Sequence, residues 1–342
     1  MKKNVFKVLG FIIVFSLMLI PASNLVKWKH SDSEYSIFYD RANDFDVLFF
    51  GASVVHYAVY PMQLWHDYGI TSYNMGNDSE KLFMTYYDMV NAFDYASPKL
   101  VLVDLTAIGW AGAKRDGTLK DHAFLDSLPL SKNKIREINA IFDGSERLEY
   151  LIPFELYHSR WNELNEDDFY FNRKSTEFGA ERHAGIVPFP KPTSDMYDES
   201  READVSLEYD TIKNIIQLCK ERNIDIIFTY FPSAHRGGDQ KVREACAELM
   251  AEFDYPYYDF LDLDFIDWSC DTVEGAHLNY YGGVKLTDYI GSMLSNEYNV
   301  YDHRNDPQLS DKWNEDYIKY NLALEEFISE TYSEYEEAQK HN

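Results

Sequence analysis

The sequence predicts an α/β fold in which a parallel sheet is wrapped by helices. Five short apolar runs are typical of buried strands, and helical stretches alternate with them along the chain. The runs are apolar on both of their faces, as expected for strands of a parallel sheet that is covered on both sides. The 342 residues, of which 45% are hydrophobic, suffice for one large domain or two small ones with a sizeable core.

The N-terminus carries a targeting signal. Three lysines within the first seven residues come before an apolar run over 8–20, which can be extended to Val26. That length approaches the roughly 20 residues that a membrane span requires. Neither Ile20 nor Pro21 suits the −3 position of a cleavage site, so we favour an uncleaved signal-anchor over 1–27. The lysines place the body of the protein outside the cell membrane, and a cleaved signal would make it secreted.

A polar spacer over 28–44 leads to the first half of the predicted sheet. This half contains a strand at 46–51, a helix at 61–68, a strand at 71–76, a helix at 79–95 and a strand at 99–106. Gly69 and Pro98 end the two helices, and Ser79 is a candidate N-cap of the second. A long irregular insertion over about 110–202 follows, with one helical stretch near 132–141.

The alternation of helices and strands resumes after the insertion. The second half contains a helix at 206–222, a strand at 224–231, a helix at 239–253, a strand at 255–260 and a helix at 280–294. An acidic, Tyr-rich helix over 308–338 lies within an acidic tail at 301–342. We therefore expect one α/β domain over 45–300 that carries the insertion.

Charge and cysteine spacing exclude several classes of protein. The formal charge of −26 is repelled by phosphate backbones, so we expect no nucleic-acid partner. The sequence contains no C-x-x-C pair, so we expect no structural zinc site. We expect Cys219, Cys246 and Cys270 to be ordinary buried thiols, although Cys219 and Cys246 could meet. The acids between Asp259 and Asp271 lack the glycine-containing spacing of a calcium loop, so no metal is expected.

Candidate catalytic residues lie where the predicted strands end, which is where sites form in α/β sheets. Ser53 follows the first strand, Gly76 and Asn77 follow the second, and His277 lies just before the last helix of the domain. A serine in this position can use the amides of a helix N-terminus, but it needs an adjacent base to become a nucleophile. Val55 stands where a G-x-S-x-G motif needs its second glycine. The sequence has no G-x-G-x-x-G and no P-loop, so no cofactor is expected.

Two blocks of the sequence resemble a known family. D-V-L-F-F-G-A-S, which ends at Ser53, and E-G-A-H-L-N-Y-Y-G-G near the end look like the first and last blocks of SGNH (GDSL-like) hydrolases. The closer similarity is to a membrane-anchored Gram-positive branch, similar to the D-alanyl transfer protein of teichoic-acid modification and to the alginate O-acetylation proteins. Residues 73–78 and 157–161 also resemble that branch, and the resemblance covers roughly 45–110 and 150–295.

The resemblance implies a three-layer, flavodoxin-like SGNH fold with a five-stranded parallel sheet and a serine-dependent mechanism. Ser53 would be the nucleophile and His277 its base, while the amides of Ser53 and Gly76 would form the oxyanion hole. The family usually places an aspartate three residues before the histidine, but this sequence has Glu274 there. Asp271, three residues earlier, is the alternative partner that could orient His277.

The asparagine of the family's third block is missing, because the third strand ends in D-L-T at 104–106. The side-chain amide of Asn77 could act in its place. His56 is a candidate pocket residue, with a helix-capping role as the alternative. His158 and Arg160 are candidates for binding an anionic or polyol substrate, with a surface turn as the alternative.

The sequence therefore predicts an extracytoplasmic O-acyltransferase or esterase that acts through a Ser53 acyl-enzyme. The expected acceptor is a cell-surface polysaccharide or a teichoic-acid-like polymer, and the resemblance implies a membrane-bound O-acyltransferase as a partner. A hydrolase that removes acetyl groups from glycans would use the same residues. The alternative outside enzymology is a catalytically inactive glycan-binding or scaffolding protein of a cell-envelope acylation complex.

Overall fold

The computed structural model describes residues 2–27, 37–110, 119–169, 175–193, 205–233, 240–273 and 277–340. The chain forms two compact units. We call Met1–Ser36 with Lys114–Lys174 the helical unit, and Ile37–Ala113 with Ser175–Asn342 the sheet unit.

The elements of the two units are numbered here in chain order. The strands are β1 (Val47–Phe50), β2 (Ser72–Asn74), β3 (Leu100–Asp104), β4 (Asp225–Tyr230), β5 (Tyr257–Asp259), β6 (Thr272–Val273) and β7 (His277–Leu278). The α-helices are α1 (Lys2–Val26), α2 (Ser53–His56), α3 (Pro61–Tyr68), α4 (Leu82–Ala92), α5 (Leu119–Ser127), α6 (Lys132–Ile141), α7 (Glu146–Leu151), α8 (Phe154–Tyr157), α9 (Tyr209–Arg222), α10 (Gln240–Phe253), α11 (Tyr280–Asn296) and α12 (Ser310–Lys340). Short 3₁₀ helices include Thr106–Trp110, His158–Asn162, Glu166–Phe169, Val205–Glu208 and His303–Asn305.

Strands β1 to β5 form one parallel sheet in the order β2-β1-β3-β4-β5. This is the flavodoxin-like order, in which the chain reverses its direction across the sheet between β2 and β3. The predicted five-stranded parallel sheet is confirmed. Each strand is a few residues shorter than its apolar run, because the buried run continues into the turn after the inter-strand hydrogen bonds end. The antiparallel pair β6–β7 was not predicted.

Helices cover both faces of this sheet and so produce three layers. On one face, α3 and α11 pack against each other and against one side of β1, β3 and β4. The strand side chains in that layer alternate along each strand and are Val47, Phe49, Leu100, Leu102 and Ile227. On the other face, α4 packs against α9, and the ring of Phe50 contacts that of Phe93 at the end of α4.

The start of α4 differs from its prediction. The helix begins at Leu82 with Lys81 as its N-cap, which makes no side-chain capping bond. The predicted N-cap, Ser79, is wrong, because its φ of +59° places it in a left-handed turn before the helix.

The long helix of the helical unit, α1, contains an apolar stretch from Val5 to Val26, with the length and composition of a membrane span or a signal sequence. Helices α5 to α8 and the 3₁₀ helices His158–Asn162 and Glu166–Phe169 form the rest of the described unit. The ring of His122 on α5 stacks on that of Tyr150 on α7 at 3.9 Å. Of these four α-helices only α6 was predicted, since α7 and α8 are too short to show a helical period and the apolar residues of α5 do not fall on one face.

The acidic C-terminal helix α12 is an integral part of the sheet unit. Trp313 has no exposed surface, and its ring packs against those of Trp65 and Phe178 at centroid distances of 5.3 and 4.9 Å. The guanidinium of Arg41 lies 4.5 Å above the Trp313 ring, and an ion pair joins Arg41 to Asp316. The helix therefore contributes to the core of this unit although its composition is that of a solvated tail.

The three cysteines are free and buried, which confirms the prediction of ordinary thiols. Burial raises the pKa of the Cys219 thiol to about 12 and that of Cys270 to about 11. Since the thiolate is the reactive form, these side chains act as small apolar groups at neutral pH.

Replacing Trp313 with alanine should remove the aromatic contacts that join α12 to the rest of the sheet unit. We expect Trp313→Ala to lower the free energy of unfolding by about 3–5 kcal/mol, the cost typical of truncating a buried aromatic side chain. Thermal and chemical unfolding of the full chain measure this loss. Leu322→Ala is the control, because Leu322 lies on the same helix and is 63% exposed. Equal stabilities of the two variants would contradict the prediction.

Candidate active site

Two predicted residues from distant parts of the sequence meet at the carboxyl edge of the parallel sheet. Ser53 is the first residue of α2, directly beyond β1, and His277 is the first residue of β7. Ser53 Oγ and His277 Nε2 lie 2.8 Å apart, within hydrogen-bond distance. A serine hydroxyl bonded to an imidazole is the arrangement by which proteins activate a serine nucleophile.

A tight turn between β1 and α2 presents Ser53 at this edge. Gly51 in that turn has a φ of +152°, and a Cβ atom on it would lie 2.7 Å from Asp104 Cβ on β3. No other residue type fits that position without displacing β3. The Gly51 carbonyl accepts a hydrogen bond from the Asn77 amide at 3.0 Å, which fixes the turn to the loop after β2.

The buried side chain of Asn74 ties the same loop to α2. Asn74 Nδ2 donates to the carbonyls of Val55 and Val59 at 2.8 and 2.9 Å, and its Oδ1 accepts from the Gly76 amide at 2.9 Å. A Cβ atom on Gly76 would lie 2.6 Å from the backbone nitrogen of His56, so only glycine lets this loop approach α2 so closely. The predicted oxyanion donor Gly76 thus lies beside α2 but directs its amide at Asn74.

Asn77, the other predicted oxyanion donor in this loop, is also hydrogen-bonded within the protein. Its Nδ2 donates to Glu80 Oε2 at 2.9 Å and to the Met75 carbonyl at 3.2 Å. The amide of Ser53 belongs to the first turn of α2, where backbone amides have no acceptor within the helix.

The two candidate partners of His277 differ in what the structure describes. Glu274 lies outside the described residues. Asp271 is fully buried, and both of its carboxylate oxygens accept hydrogen bonds. Its Oδ2 accepts from Lys285 Nζ at 2.6 Å and from the Asp267 amide at 2.7 Å, and its Oδ1 accepts from Tyr335 Oη at 2.8 Å. Asp271 therefore links the segment before His277 to α11 and α12.

Asn279, two residues after His277, fixes the other end of this segment. Its Oδ1 accepts from the Gly282 amide at 3.1 Å and so caps α11, while its Nδ2 donates to the Cys270 carbonyl at 2.7 Å. The short pairing of Val273 with His277 in β6–β7 lies between these two anchors.

A segment over 178–189 without regular secondary structure, which we call the strap, connects the two sides of the site. The Glu181 amide donates to the His56 carbonyl on α2 at 3.1 Å, and the Tyr280 amide donates to the His183 carbonyl at 2.9 Å. Farther along, the Val187 amide donates to the Thr272 carbonyl at 2.9 Å. The strap therefore holds the Ser53 side and the His277 side at a fixed separation. The strap lies within the irregular insertion that the sequence predicts over about 110–202.

Aromatic rings surround the imidazole of His277. The ring of Tyr57 lies 5.0 Å from that of His277 and 4.0 Å from that of His183. Tyr57 Oη donates to Asp78 Oδ1 at 3.0 Å. His56, the predicted pocket residue, is buried beside this group with its ring stacked on Tyr57 at 5.0 Å. No sequence motif signals Tyr57 or His183, because their contacts arise only in the folded chain.

The other predicted binding residues belong to the helical unit. Arg160 Nη2 pairs with Asp168 Oδ1 at 2.9 Å, and its Nη1 donates to the Val26 carbonyl at the end of α1. His158 is exposed, with its Nδ1 2.8 Å from the Glu155 carbonyl oxygen. The guanidinium of Arg160 is thus bonded to groups of its own unit.

Beneath the turn at Gly51 lies the buried carboxyl of Asp104. Burial raises the pKa of Asp104 to about 7, although hydrogen bonds from Thr106 and from the Phe231 amide lower it. Asp104 Oδ1 accepts from Thr106 Oγ1 at 2.8 Å and from the Phe231 amide at 3.0 Å. This carboxyl joins β3 to the end of β4 and supports the floor of the site.

No family model matches the chain, and no curated protein matches it. Among solved structures, a candidate acylhydrolase from Bacteroides fragilis NCTC 9343 superposes with a TM-score of 0.38 at 12% sequence identity. The match covers 80% of this chain and 97% of that chain. At this level of similarity, the assignment of that protein does not extend to this one.

The raised pKa of Asp104 should make stability depend on pH. Between the ordinary value of 3.8 and about 7, the folded protein binds this proton and the unfolded chain does not, so stability falls as the pH rises through that window. We expect Asp104→Asn, which cannot titrate, to flatten this fall in the thermal midpoint between about pH 4 and pH 8. Asp264→Asn, which changes an exposed acid, should keep the wild-type slope. A wild-type slope in Asp104→Asn would contradict the prediction.

Proposed function

We propose that this protein is an extracytoplasmic serine esterase or O-acyltransferase that acts through an acyl-enzyme on Ser53. The observation that carries the proposal is the 2.8 Å contact between Ser53 Oγ and His277 Nε2 at the carboxyl edge of the sheet. Ligand sites of open α/β sheets form at this edge, and the pair supplies a nucleophile with its base.

The proposed reaction uses both members of this pair. His277 Nε2 takes the proton of Ser53 as Oγ attacks the acyl carbonyl, and an oxyanion forms on the carbonyl oxygen. When the intermediate collapses, the bond to the leaving alcohol breaks and His277 gives that alcohol its proton. Water or an acceptor hydroxyl, deprotonated by His277, then attacks the ester on Ser53. The acyl group leaves with the attacking oxygen, and Ser53 recovers its proton.

Stabilising the oxyanion requires amides near Ser53 Oγ. The Ser53 amide is the first candidate, since it opens α2. The Gly76 amide can donate to the oxyanion only if its hydrogen bond to Asn74 Oδ1 breaks or is shared between the two acceptors. An oxyanion accepts hydrogen bonds more strongly than a neutral amide oxygen, which favours such an exchange in the transition state.

The contacts of Asp271 support Glu274 as the residue that orients His277. Both oxygens of Asp271 are bonded to other groups, chiefly Lys285 and Tyr335. Glu274 directly follows Val273, which pairs with His277 across β6–β7. In this proposal Glu274 accepts the Nδ1 proton and stabilises the imidazolium that forms when Ser53 attacks.

The environment of the reaction is proposed from the sequence. Helix α1 would anchor the protein in the cell membrane, and the acceptor would be a cell-surface polysaccharide or a teichoic-acid-like polymer. A membrane-bound O-acyltransferase is the proposed partner that supplies or receives acyl groups. Roles in substrate binding for His56, His158 and Arg160 stay predictions.

The hydrogen-bonded amides of Gly76 and Asn77 favour a second candidate function. If these amides stay bonded within their loop, the protein would bind glycans or act as a scaffold in a cell-envelope acylation complex without catalysing a reaction.

Replacing Ser53 tests the central claim. We expect the wild type to react covalently with a fluorophosphonate probe and to hydrolyse a model acyl ester. Ser53→Ala should lose the labelling and lower kcat by about three orders of magnitude or more, because the nucleophile is gone. Its thermal midpoint should match that of the wild type. Ser329→Ala, an exposed serine on α12, is the control that keeps both activities. A wild type that does not react would favour the scaffolding function.

The roles of the two acids separate when activity and stability are measured on the same variants. Glu274→Gln should lower kcat by about two orders of magnitude or more and leave the thermal midpoint unchanged. Asp271→Asn should instead destabilise the protein by about 1–3 kcal/mol, since it breaks a buried network with Lys285 and Tyr335. The opposite pattern would transfer the orienting role to Asp271, and unchanged kinetics in both would leave a Ser–His dyad.

A further inference from the structure

The helical unit covers its N-terminal helix only at one end. Residues 5–18 of α1 are exposed, as are Ile20 and Pro21, whereas Ser23 and Val26 are buried within the unit. At 1.5 Å per residue the stretch from residue 5 to residue 21 is about 26 Å long, and the hydrocarbon core of a bilayer is about 30 Å thick. If α1 spans a membrane, its covered last turns must therefore supply the remaining length, about 4 Å.

The elements that pack on these last turns are held there firmly. Helix α8 and the 3₁₀ helices His158–Asn162 and Glu166–Phe169 contact α1. Arg160 joins two of them to the helix end, since its guanidinium pairs with Asp168 and also donates to the Val26 carbonyl. Lys27 Nζ donates to the Asp126 carbonyl at 3.1 Å and fixes the same end to α5. These elements move with α1 to whatever depth it adopts.

Two large apolar side chains of the same 3₁₀ helices face solvent in the described unit. Trp161 is 71% exposed and Phe169 is 58% exposed. Exposing both rings to water is costly, but a tryptophan ring is well suited to the boundary between lipid and water. The rings belong to the elements that the length of α1 brings to that boundary.

We propose that the helical unit sits in the membrane–water interface, with Trp161 and Phe169 inserted among the lipid headgroups. The partner of this surface is the bilayer that α1 spans. The contact depends on apolar insertion, because the exposed neighbours Glu163 and Glu166 would be repelled by anionic lipids. The proposal rests on α1 being an uncleaved anchor and is independent of the chemistry at Ser53.

A fluorescent label at Trp161 tests this seating in the full-length protein, reconstituted in phosphatidylcholine vesicles. The three native cysteines are buried, so a thiol-reactive NBD label reaches an introduced cysteine under native conditions. We expect NBD on Trp161→Cys to emit at shorter wavelength and to lose about half or more of its intensity with lipids that carry a doxyl quencher near the headgroup. An NBD label on Phe169→Cys should show the same shift in emission and the same quenching. The control is Ala140→Cys, an exposed position on α6, where the label should keep the emission it has in water.

Two results would overturn the proposal. Labels at Trp161 and Ala140 that both report water, in protein that stays with the vesicles, would leave the anchor intact and remove the interfacial seat. Protein that does not stay with the vesicles would contradict both the anchor and the interfacial position of the helical unit. Fluorophosphonate labelling of Ser53 in the same preparation is scored separately, so a failure of the enzymatic proposal is distinguishable from either result.

Discussion

The site depends on holding Ser53 and His277, which lie 224 positions apart in the chain, within one hydrogen bond of each other. The parallel sheet fixes only the serine, at the end of β1. The histidine follows β6 in a short antiparallel pair outside that sheet. Its position relative to α2 is maintained by the strap, whose main chain bonds to His56 on one side and to Tyr280 on the other. A displacement of either side would stretch these backbone bonds.

Around this pair, buried polar side chains serve as links between segments. Asn74, Asp271 and Asn279 each join two or more parts of the backbone, as burial demands of polar groups. One of these side chains occupies a candidate oxyanion donor, because the Gly76 amide already donates a hydrogen bond to Asn74 Oδ1. In the proposed mechanism, a substrate would compete for that amide only after it develops negative charge, which would favour the transition state over the ground state.

The strands and the Ser53–His277 pair could be predicted because each carries a local signal, either an apolar run or a short block of sequence. The strap could not, since it is held by main-chain bonds that no side chain reveals. Tyr57 and His183 come together only through the fold. Helix α12 was expected to lie in an acidic tail outside the domain, because its acidic composition hides the few positions, such as Trp313, that make it part of the core.

The packing around β1 also determines at what stage of folding this strand becomes covered. One face of β1 is covered by α11, and Phe45, just before the strand, contacts Trp313 of α12 at 6.0 Å. Strand β1 is therefore enclosed by helices that come much later in the sequence. Such long-range contacts form only after large loops close, so a chain that is still being synthesised exposes this apolar strand. His277 comes within reach of Ser53 only at the same late stage, because the loop that separates the two residues in the chain is equally long.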